Sequence, residues 1–137
     1  MALGAGADGV VDALAQISVE PGDEIVCGWP SFPSYVIGAT KLGGVARKVP
    51  LADGRYDLDA MLEALTDRTK LVFVCYPNNP TGTMNTRAEL DAYFDRVPAH
   101  SVSSVKQVCT GGAIVLNKGL VKQTLVAMAL LAACGGG

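Results

Sequence analysis

The sequence predicts an α/β fold with a mostly parallel sheet and helices packed on its faces. Three observations carry this. Segments of helical spacing alternate with short apolar runs along residues 1 to 100. One of those runs, Leu71 to Cys75, is apolar without a break, as a strand buried on both faces must be. The chain has 137 residues and is 50% apolar, enough for one domain with a core.

The elements follow in order. Val10, Val11, Leu14 and Ile17 share one helical face, with Asp8 expected as the N-cap. "PGDEIVCG" reads as a turn and a short buried strand. "WPSFPSY" is a loop broken by two prolines, and "SYVIGATKLGG" is a helix closed by Gly43 and Gly44. "VARKVPL" is a strand with one wet face, and "LADGRYD" is a turn. Leu58, Met61, Leu62 and Leu65 form the stripe of a third helix, capped by Asp57. After the buried strand 71–75, Thr86 and Glu89 make a capping box. Leu90, Tyr93, Phe94 and Val97 are the buried stripe of the helix it opens.

Composition removes several functions. The 11 Lys plus Arg nearly balance the 13 Asp plus Glu, without the clustered basic face that nucleic acid requires. Aromatic residues are too few for base-stacking platforms. Cys27, Cys75, Cys109 and Cys134 are widely spaced and His100 is the only histidine, so a zinc site lacks ligands. Reduced, buried thiols in a cytoplasmic protein are expected. The start, "MALGAGADGVV", has no basic region and no long apolar run, so it is not an export signal.

Three turns are candidates for chemistry. In "CYPNNPTG", residues 75–82, the loop leaves the carboxyl end of a strand, where open parallel sheets bind ligands. Pro77 and Pro80 stiffen it, and Asn79 faces outward with an amide able to donate to a ring oxygen. A plain Asx turn would use the same residues. "GAGAD", Gly4 to Asp8, runs into a helix, and free N–H groups at a helix start suit a phosphate. Such turns are common, and the spacing is not the dinucleotide fingerprint. In "GWPSFPSY", Phe32 would lie against a planar ring or act as a lid on the core.

At these residues the sequence resembles the fold-type I, pyridoxal-phosphate-dependent aminotransferases, in the branch of histidinol-phosphate and aromatic (phenylalanine) aminotransferases. The matching stretches are "GAGADGVVDALAQ", "PGDEIVCGWPSFPSY", "DLDAMLEALTDRTKLVFVCYPNNPTGT" and "ELDAYFDRVPAH". The resemblance covers about residues 2–100 and implies part of the large, pyridoxal phosphate-binding domain. It implies that backbone amides around Gly6, Ala7 and Asp8 hold the cofactor phosphate. It further implies that Phe32 stacks on the pyridine ring and that Asn79 bonds its phenolic oxygen. The family moves an amino group between an amino acid and a 2-oxo acid, with the cofactor as electron sink. A cytoplasmic homodimer of bacterial amino-acid biosynthesis is implied for the intact enzyme. Ala7 stands where related sequences often have serine, and Tyr76 where many have asparagine.

The family also needs a lysine bound to the cofactor, an aspartate facing the pyridine nitrogen and an arginine for the substrate carboxylate. None is recognisable. Lys70 opens the strand that carries the motif at its far end, roughly 17 Å away at about 3.3 Å per residue. Lys106 faintly resembles the family's Ser-x-Lys context, without support around it. The expectation is the front part of the large domain, inactive by itself. A non-catalytic binding module is the competing reading.

Residues 101–137 have no acidic residue and a different texture, and are expected to be an unrelated tail. "SVSSVKQVCTGG" stands where an apolar strand ending in Asp-Glu-Ala-Tyr is expected. An apolar helix is expected over 119–134, packed on the sheet. The same stretch resembles a lipoprotein signal peptide ending at Cys134, although such signals work at an N-terminus. Its apolar run is too short to span a bilayer, so membrane attachment is not favoured. A frameshift, rearrangement or assembly error would also join such a tail to the first zone.

Overall fold

The computed structural model describes residues 6–98, 104–108 and 113–115. Its elements are α1 (Gly6–Ser18), β1 (Glu24–Trp29), α2 (Ser34–Lys41), β2 (Val45–Pro50), α3 (Leu58–Glu63), β3 (Thr69–Tyr76), α4 (Arg87–Arg96), β4 (Ser104–Val108) and β5 (Ala113–Val115). The strands form one sheet in the order β2-β1-β3-β4-β5. The first four are mutually parallel, and β5 runs antiparallel to β4. The expected α/β class, with a mostly parallel sheet and flanking helices, is the observed one.

The order fixes the layers. From β1 the chain crosses outward to β2, then returns past β1 to β3. Right-handed crossovers in opposite directions put their helices on opposite faces. Accordingly α1 packs on α2, and α3 packs on α4. Between them β1 and β3 are buried almost throughout, which is why Ile25, Val26, Cys27 and Leu71 to Cys75 read as unbroken apolar runs. Tyr35 of α2 stacks on Phe73 of β3, with ring centroids 4.4 Å apart.

Local signals set the helix ends. The Asp57 carboxylate accepts from the Ala60 N–H at 3.0 Å. Thr86 and Glu89 form both halves of the expected capping box. Three expectations need correction. Asp8 lies in the first turn of α1 rather than before it, and its carboxylate bonds Ser34 instead of capping its own helix. Ile17 is 67% exposed, and the buried stripe runs through Val10, Val11, Leu14 and Ala15 instead. Leu65 lies beyond α3, which ends at Glu63.

β2 also differs from the expected strand with one wet face. Among the described residues it pairs with β1 alone, at the border of the sheet, and Val45, Arg47, Lys48 and Pro50 are exposed while Val49 is buried. β4 and β5 fall inside the segment read as a tail, and β4 extends the parallel sheet beside β3. The helix expected over 119–134, with Cys134, Cys109 and His100, lies outside the described residues. Among the described residues no helix is long and apolar enough to cross a membrane. The same residues contain no cluster of metal-ligating side chains.

Candidate functional site

The start of α1 and the loops after β1 and β3 lie at one edge of the sheet, and hydrogen bonds tie Asp8 to Ser34 and the 30–31 segment to Asn78. The loop after β1 carries Ser31 and Phe32, and the loop after β3 carries Asn78 and Asn79. Ser31 Oγ donates to Asn78 Oδ1 at 2.8 Å. Asn78 Nδ2 donates to the Pro30 carbonyl at 3.1 Å. On the other side, Ser34 Oγ donates to the Asp8 carboxylate, which ties the start of α1 to the start of α2. A continuous polar seam therefore runs from α1 through 30–34 to 77–82.

The first-turn amides of α1, those of Gly6, Ala7 and Asp8 among them, have their i−4 positions before the helix begins and so find no acceptor within it. They carry the positive end of the helix dipole. The cleft beside them, between α1 and α2, holds about 360 Å³ and is lined by Asp8, Asp12, Ser34, Ile37 and Lys41 among others.

Phe32 is half-buried and sits edge-on to Tyr35, with centroids 5.6 Å apart and planes at 78°. Tyr35 in turn stacks on Phe73. The rim phenyl is thus the last ring of a series that begins in the core.

The two asparagines divide their work. Asn78 is 3% exposed and uses both ends of its amide. Its Nδ2 donates to Pro30 and, at 2.8 Å, to Thr81 Oγ1. Its Oδ1 accepts from Ser31 and, at 2.7 Å, from the Tyr56 hydroxyl. Its backbone closes the loop, through Asn78 N–H to Thr83 O at 2.9 Å and Gly82 N–H to Asn78 O at 2.7 Å. Gly82 has φ +71°, a turn open to glycine at no cost. Asn79, next along the chain, is exposed. Sequence reasoning singled out Asn79 and passed over Asn78, Ser31 and Tyr56. The signal was the doubling itself: adjacent residues leaving a strand point to opposite sides, so one amide goes inward and the other outward.

Of the described lysines, Lys41 lines the cleft between α1 and α2. Lys41 lies 3.9 Å from Asp12, Lys70 3.8 Å from Asp23, and Lys48 sits over the Trp29 ring. Lys70 is at the opposite end of β3 from the motif, as expected. The side chain of Lys106 lies outside the described residues. Cys27 and Cys75 are buried free thiols, and burial pushes the Cys27 thiol up to about 12, so it stays protonated.

A larger groove, about 510 Å³, lies between the β2–α3 turn, α3 and α4. Its arginines are already engaged, Arg55 with Glu89 at 2.6 Å and Arg96 with Asp59 at 2.7 Å. Asn85 Oδ1 and the Tyr93 hydroxyl have no partner among the described residues, and both atoms are buried.

Comparison with known proteins gives the family. Residues 1–105 match the family model described as aminotransferase class I and II. The aromatic amino acid aminotransferase of Streptomyces avermitilis is 50% identical over 100 residues, 72% of this chain and 28% of that protein. Histidinol-phosphate aminotransferase 2 of Carboxydothermus hydrogenoformans is 46% identical over 100 residues, 73% of this chain and 28% of that protein. Among solved structures, the histidinol-phosphate aminotransferase of Sinorhizobium meliloti, in complex with pyridoxal-5'-phosphate, superposes with a TM-score of 0.71 at 28% identity. That match covers 76% of this chain and 28% of the other. The chain spans just over a quarter of the length of these proteins.

Proposed function

The chain belongs to the class I and II aminotransferases, and on that premise we propose that its rim is the non-covalent half of a pyridoxal 5'-phosphate site. The backbone of Gly6, Ala7 and Asp8 holds the phosphate, Phe32 covers one face of the ring, and the Asn79 amide donates to the phenolic oxygen. The seam that links α1, Ser31 and Asn78 carries this reading, because it holds three turns, distant in sequence, at one edge. The chemistry of the donors fits the group: helix-start amides for a dianion, a mounted aromatic ring for a heterocycle, a free amide for a phenolate.

When bound, the cofactor supplies an electron sink for moving an amino group between an amino acid and a 2-oxo acid. This chain's residues orient that sink and shield one face. Lys41, Lys48 and Lys70 lie against Asp12, the Trp29 ring and Asp23, and on this reading binding is reversible and the chain alone is inactive. On the same reading the intact enzyme is a cytoplasmic homodimer whose amino donor is histidinol phosphate or an aromatic amino acid.

Equilibrium dialysis of the chain with pyridoxal phosphate tests the site. Saturable binding that Asn79→Ala weakens supports it, and binding indifferent to Asn79→Ala refutes it. An absorbance band of covalent capture, abolished by replacing one of the six lysines, would refute the inactivity of the chain.

A further inference from the structure

The two central strands part before they end. Pairing of β1 with β3 stops at Cys27 and Phe73. Yet β1 continues beside β2 to Trp29 and Pro50, and β3 continues beside β4 to Tyr76 and Val108. The fork opens where the strand order reverses, since the chain leaves β1 toward one border and β3 toward the other. Such reversals leave a crevice at the carboxyl ends of the strands.

Tyr56, from the turn between β2 and α3, fills the base of this fork. Its ring lies over Gly28 so closely that a Cβ there would stand 2.0 Å from Cδ1 and 2.3 Å from Cε1. Its hydroxyl accepts the Cys75 N–H at 3.0 Å, two residues past the last β1–β3 pair. A side-chain oxygen thus takes a strand amide where the ladder has stopped.

The same oxygen meets the loop beyond. Ser31 Oγ, Tyr56 Oη and Asn78 Oδ1 form a triangle with sides of 3.0, 2.8 and 2.7 Å. Asn78 Nδ2 is committed to Pro30 and Thr81, so Oδ1 must face the hydroxyls. Two hydroxyl protons serve three edges: Asn78 Oδ1 can accept from both Ser31 and Tyr56, and along the Ser31–Tyr56 edge either hydroxyl can donate. Burial pushes the Tyr56 phenol above its ordinary range, so it remains a neutral donor.

We propose that Tyr56 is a positioning residue, a wedge in the β1–β3 fork whose hydroxyl sets the attitude of the Asn78–Gly82 loop and thereby of the Asn79 amide. The cofactor consequence rests on the function proposed above; the loop consequence does not. Phenylalanine at position 56 keeps the wedge and removes only the hydroxyl. It leaves the Cys75 N–H without its acceptor and Asn78 with one donor fewer.

The test is amide hydrogen exchange on the whole chain, wild type against Tyr56→Phe and Ser31→Ala, with pyridoxal phosphate dialysis in parallel. In Tyr56→Phe the Asn78 and Gly82 amides should exchange about tenfold faster, while Val72 and Val74 hold their rates. Ser31→Ala should do less, because Tyr56 still reaches Asn78. Pyridoxal phosphate affinity should fall in Tyr56→Phe as it does in Asn79→Ala. Unchanged loop exchange overturns the proposal. So does equal acceleration of Val72 and Val74, which would make Tyr56 a packing residue only. A loosened loop with unaltered affinity severs Tyr56 from Asn79 and overturns that link. If the wild type binds no pyridoxal phosphate, the functional reading fails while the exchange comparison still decides the role of Tyr56.

Discussion

Glu24, at the head of β1, is gripped from the neighbouring strand by Arg47, whose Nε and Nη2 donate to its two carboxylate oxygens at 2.6 and 2.7 Å. Thr66 donates at 2.5 Å and Arg68 at 3.3 Å, and the glutamate is only 1% exposed. One buried carboxylate thus ties β1, β2 and the loop before β3. The Arg47 hydrogen bonds outweigh the opposing cost of burial and lower its pKa from 4.5 to about 2. A depressed carboxylate pKa stabilises the fold above the unfolded value and loses that contribution as pH falls toward the folded one. The melting temperature should therefore drop between about pH 4.5 and about pH 2. Glu24→Gln should flatten that drop and cost about 2 kcal/mol at neutral pH by urea unfolding, the scale of a charge-assisted hydrogen bond.

The neighbours Asn78 and Asn79 should behave as opposites. Asn78→Ala removes a buried amide with four side-chain hydrogen bonds and should cost about 2 kcal/mol in urea unfolding. Asn79→Ala, at an exposed position, should change stability by less than about 0.5 kcal/mol while weakening pyridoxal phosphate binding. Equal destabilisation by both would contradict the division of labour.

Gly28→Ala should be costly for a reason outside backbone freedom. The new methyl would overlap the Tyr56 ring and stand 3.2 Å from Leu51 Cδ2. Overpacking of this kind costs about 2 kcal/mol. Combined with Tyr56→Ala, which vacates the space, the glycine substitution should lose most of its separate effect. Denaturation of the four members of that cycle measures the coupling.

Thr86→Ala should lower stability by about 1 kcal/mol, the usual loss of a side-chain cap. The Thr86 hydroxyl accepts the Glu89 N–H at 3.2 Å, and Glu89 answers by accepting the Thr86 N–H at 2.5 Å. Thr86→Ser should restore most of the loss in the same assay.

How far the sequence could be read depended on whether the deciding contact was local. Thr86 with Glu89 and Asp57 with Ala60 span three residues, so their caps were legible. The apolar run 71–75 announced a central parallel strand. The partner of Asp8 was not legible, because Ser34 lies 26 residues away and only folding brings it near. Tyr56 in "GRYD" looked like one more turn residue, since its hydroxyl finds Ser31, Asn78 and Cys75 through the tertiary fork. β4 was hidden by its polar composition: Ser104, Lys106 and Gln107 lack the apolar signature that marks its neighbour β3.

The border strand β2 has a consequence for solubility. A second chain seeking to zip onto it would have to dehydrate Arg47 and Lys48, and at Pro50 it would find no amide proton to accept. Positive charge and a missing donor therefore act together as a stop signal against sideways stacking of identical sheets along that flank.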